Sequence, residues 1–172
     1  MRQSTQVQEP RQSLWLRHLT LAVLGIYLVF SAWVLWRSAV LTPYYDQLDW
    51  ITRWRDLQAS GDWATYLLGP VNHHRMPGLF GLLALDIQAF GGTNLPLIAS
   101  GAVALALMTG LLAWQVGKAA SPGLALPAAA LSAMLTLMAG NVLDAATPIC
   151  VNYTHGAVLA VAAVILAAAG PV

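Results

Sequence analysis

The chain has 172 residues, of which 58% are hydrophobic and 9% charged, and its mean hydropathy is +0.65. Water-soluble domains carry about 25% charged residues, so this chain lacks the polar surface to cover a globule of its size. The net charge of +1 provides no basic surface for a nucleic-acid partner, and the single cysteine, Cys150, excludes an intrachain disulfide.

Apolar segments along the chain predict an all-α, polytopic transmembrane helical protein with about five spans. A span needs roughly 20 apolar residues, because the bilayer core is about 30 Å thick and a helix rises about 1.5 Å per residue. The candidate segments are 19–36, 76–90, 95–116, 124–138 and 156–169. The last one stops close to the end of the sequence and no polar tail follows it. We therefore expect the chain to be the N-terminal fragment of a longer protein.

The distribution of charged residues predicts the orientation. The N-terminal tail, 1–18, carries three arginines against the single acid Glu9, whereas the loop 37–75 carries four arginines and four aspartates. Lysine and arginine concentrate on the cytoplasmic side of a membrane protein. The arginines of the loop are spread over about 40 positions and are interspersed with aspartates, so we expect a cytoplasmic N-terminus and an extracytoplasmic loop. The chain is then one multi-pass domain of the inner (plasma) membrane, with span 1 at 19–36 and spans 2 to 5 within 76–172. In this arrangement the turn 91–94 is cytoplasmic and Lys118 is external.

Residues 46–58 of the loop have the pattern of an amphipathic helix. One side is apolar and the other is charged, with the charged residues at i, i+3, i+7 and i+10. The apolar stripe contains Trp50, Trp54 and Leu57, and the charged side contains Asp46, Asp49, Arg53 and Asp56. Tryptophan and tyrosine prefer the membrane–water interface, so we expect this helix to lie flat on the outer leaflet. A second short helix should follow, capped by Ser60 or Asp62 and ending near Gly69.

Two clusters in the loop contain side chains suited to catalysis or ligand binding. The i,i+3 spacing puts Asp46 and Asp49 on one side of a helix, where they are candidate ligands for a divalent metal (Mg or Mn) or a candidate general base. His73, His74 and Arg75 stand at the entrance to the second span, and arginine pairs phosphate oxygens in a bidentate manner. Together the clusters predict transfer from a lipid-linked phosphate donor. The alternative is an interfacial loop with only a structural role.

Three features beyond the loop concern helix packing and topology. Asp86 lies within a predicted span, where a charge costs about 2.5–3.5 kcal/mol, so we expect it to be protonated or bonded to a neighbouring helix, in a structural role. Small residues at 99–102, 128–130 and 167–169 predict close helix–helix contact. The polar segment 141–155 is cytoplasmic if four full spans precede it, or lies beside the acidic loop if the fourth span is broken or re-entrant.

Three motifs follow one another along the first two thirds of the chain: Tyr44-Tyr45-Asp46-Gln47-Leu48-Asp49-Trp50, His73-His74-Arg75-Met76-Pro77-Gly78-Leu79-Phe80, and Asp86 followed by Phe90-Gly91-Gly92-Thr93-Asn94. They resemble the start of a GT-C-type integral membrane glycosyltransferase. The order of elements is similar too, with a cytoplasmic N-terminus, one span, a long external loop and closely spaced spans. The resemblance covers residues 15–117. Members of the superfamily use polyprenyl-phosphate sugars as donors and transfer the sugar outside the cytoplasm.

The resemblance implies a role for each residue of the two clusters. Asp46 would activate the acceptor hydroxyl, Asp49 would support it or bind metal, and His73, His74 and Arg75 would contact the donor phosphate or the acceptor. The implied enzyme is a hexosyltransferase of the cell envelope, with membrane lipids and the polyprenyl-phosphate sugar as partners. The residues alone leave open a non-catalytic membrane subunit or scaffold and, less favoured, a transporter fragment.

Overall fold

The structure, a computed structural model, describes residues 14–42, 47–71 and 75–168. The described residues are almost entirely helical, which confirms the predicted all-α class. The helices are α1 Leu14–Ser38, α2 Gln47–Ser60, α3 Trp63–Leu68, α4 Pro77–Phe90, α5 Leu95–Ala119, α6 Ala125–Thr136, α7 Ala139–Ala146 and α8 Val151–Ala168, with a 3-10 turn at Pro148–Cys150 before α8.

Within the described part of the chain, three helical segments are long and apolar enough to cross a membrane. They are α1, α5 and Pro148–Ala168. A fourth span exists if α6 and α7, which are bent by 54° at their break, count as one. The predicted fifth span is not confirmed, because α4, in the position of the expected second span, has only 14 residues. Such a helix is about 21 Å long, whereas the bilayer core is about 30 Å thick.

The C-terminal end of α4 lies close to the C-terminal end of α1. Asn94 follows the turn after α4, and its Nδ2 donates to the carbonyl oxygen of Val40 at 3.1 Å. The Gln47 amide at the start of α2 donates to Asn94 Oδ1 at 2.7 Å. The start of α4 also lies near α2, because the centre of the Phe80 ring is 5.9 Å from that of Trp50, so both ends of α4 are close to α2. The end of the bundle marked by Val40 and Asn94 is called the loop end below, and the end marked by Leu14 and Lys118 the opposite end.

Asp86 has the structural role expected of it, although its partners belong to the turn that ends α4. Its side chain is fully buried, and Oδ2 accepts from the backbone N–H of Asn94 at 2.9 Å. Gly91 and Gly92 have φ angles of 68° and 76°, which glycine adopts without steric penalty. Two left-handed residues cannot continue a helix, so α4 stops here.

α5 is the central helix of the bundle and packs against α4, α6, α7 and α8. Gly101 permits the closest approach, because a Cβ there would lie 2.6 Å from Val151 Cγ2 and 2.9 Å from the carbonyl oxygen of Ala145. The expected contact of the small residues near 99–102 with other helices is thus confirmed at Gly101. α5 and α8 run parallel from this point, and α1 packs on α6 and α7.

The amphipathic helix predicted at 46–58 is confirmed as α2, but its apolar stripe does not face lipid. Trp50 and Trp54 are only 4% and 6% exposed, and they pack with Tyr66, Phe80 and other residues of α3, α4 and α8. The expectation that the stripe lies on the outer leaflet is therefore wrong for these two tryptophans. In this core the rings of Trp50 and Trp54 pack edge to face with those of Phe80 and Tyr66, an arrangement that stabilises aromatic pairs.

The predicted second helix is α3, and its cap is Asp62, one of the two predicted candidates. Asp62 Oδ1 accepts from the backbone N–H of Thr65 at 3.0 Å, and Oδ2 accepts from the Thr65 hydroxyl at 2.6 Å. These hydrogen bonds hold the pKa of the Asp62 carboxyl below its usual value. The helix ends at Leu68, with Gly69 as its C-cap, as the sequence indicates.

Candidate functional site

A cavity of about 710 Å³ opens at the loop end, between the start of α4 and the first half of α8. One wall contains Arg75, Met76 and Leu79, and Trp50 of α2 contributes to it. The facing wall comes from α8 and the 3-10 turn before it. This is a large concave surface that combines apolar walls with several polar side chains, which is the usual composition of a small-molecule site.

The α8 wall follows from helical spacing. Asn152, His155, Gly156 and Leu159 stand at i, i+3, i+4 and i+7, so they share one face of the helix. Gly156 has no neighbouring atom within 4 Å of the position of a Cβ, so the cavity is open along its backbone. Asn152 and His155 are half-buried. Leu159 lies one turn further along the same face and adds apolar surface to it.

Two buried polar atoms of the lining residues are unsatisfied. Among residues 14–42, 47–71 and 75–168, neither Trp50 Nε1 nor Asn152 Oδ1 has a hydrogen-bond partner. The other amide atom of Asn152, Nδ2, donates only to the Met76 sulfur at 3.5 Å. A buried polar group without a partner costs about 1–3 kcal/mol. Both atoms are buried, so the protein carries this cost at Trp50 and at Asn152.

Arg75 is the predicted site residue that the structure places at the cavity. Its side chain is exposed, and it makes no hydrogen bond or ion pair with the other residues that the structure describes. Asp49 is exposed on α2 and does not line the cavity, although its neighbour Trp50 does. Asp46, His73 and His74 lie outside the described residues. Their roles, and any joining of the acidic and basic clusters, stay predictions.

The metal expected at Asp46 and Asp49 is likewise untested, because Asp46 lies outside the described residues. In the described part of the chain, no three His, Cys, Asp or Glu side chains are grouped closely enough to hold a metal ion. Asp49 alone is not a metal site, since Mg²⁺ and Mn²⁺ need several oxygen ligands.

Arg53, by contrast with Arg75, is used for structure. Its Nη2 donates to the backbone carbonyls of Thr65 and Gly69, the latter at 3.0 Å, and its guanidinium lies 4.3 Å from the centre of the Phe80 ring. The nearby Tyr66 hydroxyl donates to the Phe80 carbonyl at 3.2 Å. Burial raises the pKa of Tyr66 to about 12, although the positive charge of Arg53 acts in the opposite direction.

Comparison with known protein families, curated proteins and solved structures finds no match to this chain.

Sequence reasoning did not select Asn152 or His155, because the side of the membrane on which 141–155 lies was undecided. The structure places this segment at the loop end. The Val40 N–H donates to the carbonyl oxygen of Ala146 at 3.4 Å, and Val151 packs into the same core as Trp50. The i,i+3 spacing of a half-polar helix face, directly after Pro148, is the sequence signal that points to them.

The cavity as a whole suits an amphiphilic anion. Arg75 offers a guanidinium that no other described residue uses, and His155 offers a second nitrogen donor or acceptor on the facing wall. Met76, Leu79 and Leu159 supply apolar surface beside these groups. A phosphate or similar group on a hydrocarbon chain would use both kinds of surface at once.

Proposed function

We propose that the protein is a membrane glycosyltransferase that transfers a sugar from a polyprenyl-phosphate donor to an acceptor at the extracytoplasmic face. The observation that supports this proposal is the cavity at the loop end, where the uncommitted Arg75 stands beside apolar walls. A polyprenyl-phosphate donor has the matching structure, namely a phosphate joined to a long hydrocarbon chain. In this proposal Arg75 pairs with the phosphate oxygens and Leu159 contacts the first prenyl units.

The proposed reaction is a displacement at the anomeric carbon. An acceptor hydroxyl loses its proton to a carboxylate while its oxygen attacks the anomeric carbon, and the bond from that carbon to the phosphate oxygen breaks. The negative charge that develops on the leaving phosphate is stabilised by Arg75. The resemblance assigns the carboxylate to Asp46, with Asp49 in support and His73 and His74 as further contacts to the donor or acceptor.

The membrane topology that we propose has a cytoplasmic N-terminus and an extracytoplasmic loop end. All five acidic residues that the structure describes lie at or near the loop end, whereas the opposite end carries Arg17 and Lys118. The positive-inside rule counts lysine and arginine, so the support for this orientation is the three arginines of the N-terminal tail 1–18; the four arginines of the loop 37–75, which are interspersed with aspartates, oppose it. A topology of four spans, in which α4 does not cross, accommodates the contact of Asn94 with Val40. The five-span alternative requires the 14 residues of α4 to cross.

A second candidate function is a non-catalytic membrane subunit or scaffold. It is favoured by the number of polar side chains at the loop end that are committed to structural hydrogen bonds. Arg53 holds α3, Asp62 caps it, and Asp86, Asn94 and Gln47 fasten the turn after α4. A scaffold needs these bonds but has no use for Arg75 or for the cavity.

Two measurements on membranes that contain this chain separate the candidates. The first is crosslinking of a photoactivatable, labelled polyprenyl phosphate, and the second is sugar transfer from labelled polyprenyl-phosphate sugars. Arg75→Ala should weaken donor binding roughly tenfold, the usual effect of losing one charge-assisted pair. Asp46→Asn should keep donor binding and lower transfer by on the order of 10²-fold or more. Arg55→Ala, at an exposed position of α2, is the matched control and should change neither.

Specific crosslinking that Arg75→Ala weakens roughly tenfold would support the donor site. Loss of transfer in Asp46→Asn at normal abundance would support the enzyme. If the wild-type chain neither binds the lipid phosphate above the level of Arg75→Ala nor transfers sugar, the glycosyltransferase proposal is wrong and the scaffold is preferred.

A further inference from the structure

A second concave surface lies at the opposite end, between the last turns of α5 and α8. This groove has a volume of about 480 Å³. Its floor is apolar, formed by Leu111 of α5 and by Ala162 and Ile165 of α8, and its mouth is formed by Trp114 and Lys118. The two helices run parallel here, so the groove follows their axes toward the middle of the bundle.

The mouth of the groove carries a positive charge that no carboxylate in the described part of the chain neutralises. Lys118 is exposed, and its Nζ lies 4.4 Å from the centre of the Trp114 ring, a cation–π distance. Every aspartate in the described part of the chain lies at or near the loop end, so no carboxylate there pairs with Lys118. An ammonium fixed over an indole at the rim of an apolar groove matches a ligand that carries an anion at one end and hydrocarbon at the other.

The surroundings of the groove identify that ligand. Tryptophan and lysine near the end of a spanning helix mark the level of the lipid headgroups, and the helix surface below them faces acyl chains. We infer that the groove between α5 and α8 binds a phospholipid with an anionic headgroup. Its phosphate contacts Lys118, and one acyl chain lies along Ala162 and Ile165. This site is separate from the cavity at the loop end and does not depend on the proposed glycosyltransferase activity.

A preference for anionic over zwitterionic lipid is the measurable consequence. A zwitterionic headgroup brings its own cation to the phosphate, whereas a phosphatidylglycerol headgroup does not. One basic side chain near the membrane surface shifts such a preference about fivefold.

The first test is native mass spectrometry of the purified full chain, released from detergent micelles that contain equal amounts of dioleoyl phosphatidylglycerol and dioleoyl phosphatidylcholine. The wild-type chain should retain phosphatidylglycerol preferentially, and Lys118→Gln should lower the ratio of the two bound lipids about fivefold. Arg17→Gln removes a charge from the same end, on α1, and should leave the ratio unchanged. Equal effects of the two substitutions, or no effect of Lys118→Gln, would show diffuse attraction instead of a site and overturn the inference.

The second test concerns the groove itself. Ala162→Phe fills the groove and should lower the retention of both lipids severalfold. Ala163→Phe places the same ring on the next residue, which is exposed and does not line the groove, and should have no such effect. Unchanged lipid retention in Ala162→Phe, with its helical circular dichroism intact, would overturn the placement of the acyl chain.

Discussion

Arg53 and Arg75 belong to the same loop and carry the same charge, yet their side chains have different tasks. The guanidinium of Arg53 lies between two backbone carbonyls and the face of Phe80, and a side chain at Gly69 would collide with it. Arg75 has no such partners in the described structure and faces the cavity. Sequence reasoning placed Arg53 on the charged face beside Asp49. It could not predict the pair of hydrogen bonds from Arg53 to the carbonyl oxygens of Thr65 and Gly69, because partners 12 and 16 residues away depend on the fold.

Replacement of Arg53 by lysine should therefore lower stability. Lysine keeps the charge but cannot reach both carbonyls in one plane or stack on Phe80 in the same way, so we expect a loss of about 1–2 kcal/mol in the free energy of unfolding. Thermal unfolding in detergent micelles, followed by circular dichroism, measures it. Arg55→Lys, two positions along the same helix and exposed, is the control and should change stability by less than about 0.5 kcal/mol. Equal stability of the two variants would mean that the contacts of the Arg53 guanidinium contribute nothing to the free energy of unfolding.

At the scale of single elements, the sequence predicted helices well when local signals decided them. The periodicity of α2 and the Asp62 cap of α3 are written in neighbouring residues, and both predictions are confirmed. The sequence also predicted correctly which face of α2 is apolar and buried, but it predicted wrongly that lipid would cover this face. Its tryptophans pack on α4 and on Val151, which is about 100 positions away in the chain, and a pattern within one helix contains no information on such a partner.

α4 shows the limit of apolar composition as a signal. Its sequence is apolar enough for a span, but Asp86 and the pair Gly91-Gly92 end it after 14 residues. Its apolar surface packs against the aromatic side chains of α2 and α3. Composition therefore predicts the helix but not its length, because the end of a helix is the part that sequence patterns define least precisely.

The contact of α5 with α7 and α8 at Gly101 provides a prediction for an element. Gly101→Ala puts a methyl group within 3 Å of Val151 and Ala145, so we expect a loss of about 1–3 kcal/mol from overpacking. Gly110→Ala is the matched control, since it lies in the same helix with no atom within 4 Å of a Cβ. It should be neutral or stabilising by up to about 1 kcal/mol, because alanine favours a helix more than glycine does.

Both glycine variants can be compared by thermal unfolding in the same detergent. The difference between them isolates the steric effect from helix propensity, which acts equally at both positions. A Gly101→Ala variant as stable as Gly110→Ala would contradict the close approach of the three helices.

At the scale of the whole molecule, the two ends of the bundle differ in composition and in chemistry. The loop end holds the aromatic core, the cavity, and the predicted site residues that the structure describes, Asp49 and Arg75. The opposite end is sparsely charged and basic. The bend between α6 and α7 brings Ala146 and the start of α8 to the loop end, so one wall of the cavity comes from the part of the sequence farthest from the loop. Candidate sites of this kind are hard to predict, because the break in a span decides which polar segments meet.

The bend also depends on side chains that satisfy the backbone it disrupts. The Tyr27 hydroxyl of α1 donates to the carbonyl oxygen of Leu137 at 3.3 Å, and Asn141 Nδ2 donates to that of Thr136 at 2.7 Å. An interrupted helix within a bilayer needs such partners, because lipid offers none. These two bonds lie at the break and are consistent with α6 and α7 acting as one bent span.

The number of spans can be decided with single cysteines on a Cys150→Ser background. Gln58→Cys reports the loop, Thr93→Cys the turn after α4, and Ala119→Cys the end of α5, and all three positions are exposed. With four spans, Gln58→Cys and Thr93→Cys should react with a membrane-impermeant maleimide from the same side of sealed, oriented vesicles. Ala119→Cys should react only after the vesicles are opened. With five spans the pattern exchanges, because α4 carries residue 93 across the membrane and α5 brings residue 119 back. Labelling of Gln58→Cys together with Ala119→Cys, and not with Thr93→Cys, would therefore restore the original prediction and contradict the contact between Asn94 and Val40.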